Sequence, residues 1–140
     1  MSIIVDAGTR VVIQGITGKF GSYHSQLMRD YGTKVVAGVT PGKGGSEVGG
    51  IPVYDSIAEA REEQGAEVVA VLVPAPFVKD AVFEAVDCGM RLIVSLVEGV
   101  PVKDTMLTKR RLSESDCLMI GPNSPGIITP GACLVGFMPG

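Results

Sequence analysis

Near the start of the chain, the stretch "VVIQGITGKFG" (residues 11–21) places Gly15, Gly18 and Gly21 between a β-branched run and a helical pattern. A glycine turn that leaves a strand and opens a helix can hold a pyrophosphate on backbone N–H groups, without any basic side chain. Gly15 permits the tight turn, Gly18 lets a phosphate approach the backbone, and Thr17 adds a hydroxyl donor. The spacing is G-x-x-G-x-x-G, one residue longer than the dinucleotide fingerprint G-x-G-x-x-G. The loop therefore reads as phosphate-binding and leaves the ligand open.

Four further loops follow β-branched runs and carry the remaining polar candidates. In "VTPGKGG" (39–45), Lys43 stands where an NAD-binding domain usually has a carboxylate for the ribose hydroxyls. A lysine there attracts a phosphorylated ribose, as found in NADP or coenzyme A, and Val39 and Pro41 flank it as candidate contacts. In "VPAPF" (73–77), Val73, Pro74, Ala75 and Pro76 form a stiff wall with two backbone donors removed, suited to a flat ring or an aliphatic arm. Glu98 in "VEGVP" offers a carboxylate at a strand end. Asn123 and Ser124 in "GPNSPGIITPG" can hydrogen-bond a carbonyl or amide, and with no base beside Ser124 the sequence does not point to a serine nucleophile.

Other chemistries find little support. Cys88, Cys117 and Cys133 lie far apart and make no C-x-x-C pair, so they read as buried small hydrophobes, without a metal site. The single histidine, His24, sits within a helical pattern and reads as packing or surface. A net charge of −3 argues against nonspecific nucleic-acid binding, which requires a basic surface. No apolar run approaches the ~20 residues of a membrane span, and the start "MSIIVDAGTR" does not resemble a signal peptide, so a cytoplasmic protein is expected.

The elements that must position these loops are legible as an alternation. "RVVIQG", "KVVAGV", "EVVAVLVP", "RLIVSLV" and "CLMIGP" each read as a buried strand, and "IPVY" and "CLVGFM" as further short ones. Helices are predicted over 22–31, ending at Gly32; over 56–64, with Ser56 and Glu59 at capping-box spacing; along the face Phe77, Val78, Ala81, Val82, Ala85 and Val86; and around 103–115. The run Lys109, Arg110, Arg111 in the last reads as a solvated face. This predicts an α/β, Rossmann-like doubly wound domain, its mainly parallel sheet covered by helices on both faces, as a single unit over 1–140. Ligands of such folds sit beyond the carboxyl ends of the strands, where all five loops fall.

Taken together, "VIQGITGKFGSYHS", "YGTKVVAGVTPGKGG", "VPAPFVKDA" and "GPNSPGIITPG" resemble the coenzyme A-binding domain of the α subunit of succinyl-CoA synthetase, the ADP- or GDP-forming succinate–CoA ligase. The resemblance runs from Ile3 to Gly140. It implies that Thr17, Gly18, Lys19, Phe20 and Lys43 hold the phosphates of coenzyme A and that Leu96, Val97 and Glu98 contact the ligand. It also implies that the "VPAPF" residues line the nucleotide and pantetheine arm, with Asn123 and Ser124 near the thiol. Two local departures stand out: Ser124 replaces the cysteine common in "GPNCPG", and "SEVGG" (46–50) differs from the usual pattern. The family's phosphohistidine domain and its β subunit lie outside these 140 residues, so the resemblance implies a chain that binds coenzyme A or acyl-CoA and needs partner chains to ligate. Malate–CoA ligase and citrate-cleaving enzymes share the domain. Two other readings use the same residues: a free-standing coenzyme A-sensing module, and an NADP-binding domain of an oxidoreductase.

Overall fold

The structure, a computed structural model, describes residues 4–138; the first residues of the amino-terminal stretch and the end at Gly140 lie outside them. Strands β1 (Arg10–Gln14), β2 (Lys34–Val39), β3 (Glu47–Val48), β4 (Ile51–Tyr54), β5 (Val68–Val71), β6 (Leu92–Ser95) and β7 (Leu118–Ile120) form one sheet in the order β3-β4-β2-β1-β5-β6-β7. Every pairing is parallel except β3 with β4. Helices α1 (Lys19–Tyr31), α2 (Ile57–Gln64), α3 (Val78–Asp87) and α4 (Val102–Ser113) connect the strands. The predicted doubly wound architecture is the one observed.

Successive strand residues face opposite sides of the sheet, and the core divides accordingly. Val11, Ile13, Val68, Ala70, Leu92 and Val94 pack with Met28 of α1 on one face. Val12, Val69, Val71 and Ile93 pack with Ile57 and Ala60 of α2 and Val78, Ala81, Val82 and Ala85 of α3 on the other. A strand buried on both faces has no reason to alternate apolar with polar, which is why these runs are continuously hydrophobic.

Four local expectations need correction. The first helix begins at Lys19 rather than 22, because Gly18 already serves as its N-cap, so Lys19 and Phe20 belong to a helical turn. "CLMIGP" is not a buried strand: among the described residues β7 is the sheet edge, paired with β6, and Leu118 is 60% exposed. Phe77 is exposed in a 3-10 turn, Ala75–Phe77, that precedes α3 and is not part of its apolar face. Finally, the fifth loop conceals a strand: β8 (Gly126–Thr129) pairs antiparallel with β9 (Cys133–Gly136) in a separate ribbon. That ribbon is fastened to the main body where the Thr33 hydroxyl donates to the Leu134 carbonyl at 2.7 Å and Thr129 donates to the Val5 carbonyl at 2.7 Å.

Helix α2 follows its predicted caps, with the Ser56 hydroxyl accepting from the Glu59 N–H at 3.2 Å and Gly65 closing the helix. Basic residues of α4 are exposed as expected, and Arg111 forms an ion pair with Asp87 of α3. Gly21 sets how close α1 lies to the end of β1: a Cβ there would stand 2.1 Å from the Gly15 carbonyl oxygen. Backbone cannot yield as a side-chain tip does, so Gly21→Ala should cost about 1–3 kcal/mol by overpacking. Urea denaturation measures the loss, and an unchanged midpoint would contradict this contact.

Candidate functional site

Gly15 is the pivot of the first loop. It adopts φ +82°, and a Cβ would lie 2.5 Å from the Leu72 carbonyl, so only glycine passes between β1 and β5 here. Ile16, the next residue, is fully buried and packs against Gly38 of β2, which pins the loop from below. Thr17 then surfaces, and its hydroxyl donates to that of Thr40 at 3.0 Å, tying the first loop to the second.

The result is a helix start with free donors. The Gly18 N–H is taken by the Gly15 carbonyl at 3.1 Å and the Ser22 N–H by the Gly18 carbonyl at 2.8 Å. The intervening N–H groups of Lys19, Phe20 and Gly21 belong to the first turn, where no intrahelical acceptor exists. Gly18 offers no capping side chain, and no acidic residue occupies that turn. The positive end of the helix dipole and the Lys19 ammonium therefore face outward together.

Two cavities meet at this helix start and share Gly18, Leu72, Val73 and Pro74. The first, about 500 Å³, runs between the ends of β1, β2 and β5 and the side of α3; Gly15, Thr17, Val39, Thr40, Pro41, Phe77, Asp80 and Glu84 complete it with Gln14 and Ala81. The second, about 670 Å³, is bounded by Lys19, Phe20, Gly21, Leu96, Val97, Glu98, Asn123 and Phe137. Both open at the switch point where the chain, having built β2 on one side of β1, returns to place β5 on the other.

Most candidate residues thus gather around one crevice. Four do not line it. Lys43 is exposed at the crown of the second turn, three residues beyond Thr40, and Ala75 and Pro76 lie in the 3-10 turn behind Pro74. Ser124 accepts a hydrogen bond from the Gly126 N–H at 3.1 Å, one residue beyond Asn123.

Several functional neighbours were not singled out by sequence. Asp55, just past β4, accepts from the N–H groups of Gly42 (2.8 Å) and Gly44 (2.9 Å) and so shapes the turn carrying Lys43. Its position one residue after "IPVY" was the available signal. Phe137 reaches the second cavity from beyond β9, packing its ring 5.9 Å from Phe20 and 5.1 Å from His24. Gln14, Asp80 and Glu84 carry no motif.

Of the remaining reactive groups, His24, Cys117 and Cys133 are buried and Cys88, expected buried, is half-buried. His24 sits in this aromatic cluster with Nδ1 unpartnered, and burial lowers its pKa below the ordinary 6.5. Burial also pushes the Cys88, Cys117 and Cys133 thiols up, for Cys88 with help from Glu84 and Asp87. Among the described residues no cluster of His, Cys, Asp or Glu could hold a metal, and no helix is long and apolar enough to cross a membrane.

A crevice whose donors are backbone N–H groups at a widened glycine turn suits a diphosphate ligand, and the family match names one. Residues 6–106 match the family described as the CoA binding domain. The chain belongs to the CoA-binding domain family. Of the two phosphorylated riboses that the second loop leaves open, the family selects that of coenzyme A. The succinate–CoA ligase [ADP-forming] subunit alpha of Aquifex aeolicus is 53% identical over the whole of this chain and 47% of its own length. Subunit alpha 1 of the corresponding Archaeoglobus fulgidus protein is 54% identical over 99% of this chain and 48% of its own length. The chain thus spans about half the length of the curated relatives it matches. ATP citrate lyase from Methanothrix soehngenii, solved with citrate and coenzyme A, superposes over 96% of this chain and 24% of its own with TM-score 0.83 at 21% identity, a likeness of fold.

Because this CoA-binding domain has a single histidine, its protonation can be followed directly by NMR. The folded-state midpoint should fall below 6.5. The unfolded chain then takes up the proton first as pH drops, so stability present above about 6.5 is lost toward the folded midpoint. A midpoint at or above 6.5 would contradict the buried placement of His24.

Proposed function

We propose that this chain is the coenzyme A-binding part of an acid–CoA ligase of the succinate type, and that it positions the cofactor thiol for an acyl group activated on partner chains. The observation that carries this reading is the unpaired start of α1 standing between two cavities. A diphosphate at Lys19, Phe20 and Gly21 leaves one cavity for each half of an extended ligand. Both volumes lie within the usual ligand-pocket range of about 300–1,000 Å³.

In this arrangement the first-turn N–H groups and Lys19 hold the pyrophosphate, and the Thr17 hydroxyl lies beside it. Lys43, on a turn braced by Asp55, meets the 3′-phosphate at the crevice rim. The wall of Val73 and Pro74 excludes water from the arm, and Leu96, Val97, Glu98 and Asn123 receive the thiol end. Coenzyme A supplies the thiol that carries the acyl group; this chain orients it. Holding a reactant in a near-attack position is itself a large contribution to rate. The identity to succinate–CoA ligase α subunits supports succinate as the acid and a ligase β subunit with a phosphohistidine-bearing segment as partners.

Lys43→Ala tests the phosphate assignment. Loss of one charge-assisted hydrogen bond at a rim site should weaken coenzyme A about ten- to a hundredfold. Binding of 3′-dephospho-coenzyme A should change little. Calorimetry with both ligands decides: equal losses would remove Lys43 from this role, and tighter binding of NADP than of coenzyme A by the parent chain would overturn the function.

A further inference from the structure

At the end of the sheet opposite the crevice lies a third cavity, of about 310 Å³. Gly65, Ala66 and Glu67 bound it where the chain enters β5, Gly89 and Arg91 where it enters β6, and Arg61 reaches it from α2. Strands β1, β5 and β6 run parallel, so Arg10, the first residue of β1, belongs to the same end. Its Nε stands 3.5 Å from where a Cβ on Gly65 would be.

Three arginines here face one carboxylate. Arg91 Nε donates to Glu67 Oε2 at 2.8 Å, and the Arg10 N–H donates to Oε1 at 3.2 Å, so both Glu67 oxygens are engaged and Arg91 alone balances the charge. Among the described residues Arg10 and Arg61 form no ion pair, and Asp87, two residues before Gly89, is taken by Arg111. Positive charge is thus left in excess at this corner of a chain whose net charge is −3.

Helix capping explains part of the arrangement. Arg10 Nε donates to the Gln64 carbonyl at 2.6 Å, at the end of α2, and Arg61 Nη1 donates to the Cys88 carbonyl, at the end of α3. Both are favourable places for a cation. Capping does not account for the convergence, because a guanidinium carries five N–H donors and each of these spends one. Gly89 makes the approach possible: it adopts φ +73°, and a Cβ there would stand 2.5 Å from Arg61 Nη1.

We infer that this cavity is a binding site for a compact dianion of the phosphate class, held between Arg10 and Arg61. Guanidinium forks bind such oxyanions through paired N–H bonds. Two forks fixed at neighbouring helix ends suit a tetrahedral anion, whose oxygens do not share one plane. A bound anion would bridge the ends of α2 and α3. The site is independent of the coenzyme A reading: the start of α1 offers main-chain N–H groups, and this corner offers side-chain charge.

The test is an NMR titration of the chain with sodium phosphate at about pH 8, where a phosphate carries close to two charges. The amide resonances of Gly65 and Gly89 should shift and saturate with a dissociation constant on the order of 1 mM, as a few charge-assisted hydrogen bonds allow. Sodium chloride at equal ionic strength should move them little. Arg10→Gln and Arg61→Gln should each weaken binding about tenfold. Shifts confined to Gly18 and Gly21 at the start of α1, or an equal response to chloride, overturn the inference on the parent chain without any variant. Undiminished affinity in a folded Arg61→Gln overturns it as well.

Discussion

The close approach of α1 to the end of β1 governs the rest of the site. With Gly21 set against the Gly15 carbonyl, the helix begins so near the sheet that no side chain fits between them. Its first N–H groups then border the crevice and, among the described residues, have no acceptor. A capping Ser or Asp at position 18 would satisfy those donors and stabilise the free helix by about 0.5–2 kcal/mol. Glycine there forgoes that stabilisation, and the forgone hydrogen bonds are the ones an anionic ligand can make.

The surrounding structure holds that unsatisfied end in place. Ile16 is buried beneath the loop, the Thr17–Thr40 hydrogen bond links it to the second strand end, and Asp55 orders the turn beyond. On the other side, the Asn123 N–H donates to the Val97 carbonyl at 2.9 Å, which joins the fifth loop to the fourth. The Phe137 N–H donates to the Pro125 carbonyl at 3.0 Å, bringing the end of the ribbon to the crevice. Five loops that are separate in sequence are thereby coupled around one start of helix, and the binding groups need little rearrangement to act together.

What the sequence disclosed follows from how local each cause is. Four buried strands, the existence of a fifth and four helices were legible because continuous β-branched runs and the caps at Ser56 and Gly65 are encoded within a few residues. The first-loop residues were legible because glycine spacing constrains backbone directly. Strand β8 was hidden, since "GIIT" gains its structure only by pairing with β9 and resting on Val5. Edge exposure of β7 depends on the absence of a further neighbour, which no residue of "CLMIGP" records. Gln14 was invisible for a related reason: a glutamine inside a strand gains meaning from Ala81, 67 residues away.

The inventory of the crevice separates binding from bond-making. Its donors are main-chain N–H groups, Lys19 and the hydroxyl of Thr40, which accepts from Thr17, all suited to holding charge. Apart from the Asp80, Glu84 and Glu98 carboxylates, the groups capable of nucleophilic or acid–base work lie outside its lining: the three thiols are pushed up by burial, and the His24 imidazole is enclosed by Phe20, Tyr23 and Phe137. Ser124 accepts from the Gly126 N–H and has no adjacent base to activate it. Selection on such a crevice acts on geometry rather than on reactivity, because a thiol brought by the ligand is already the stronger nucleophile.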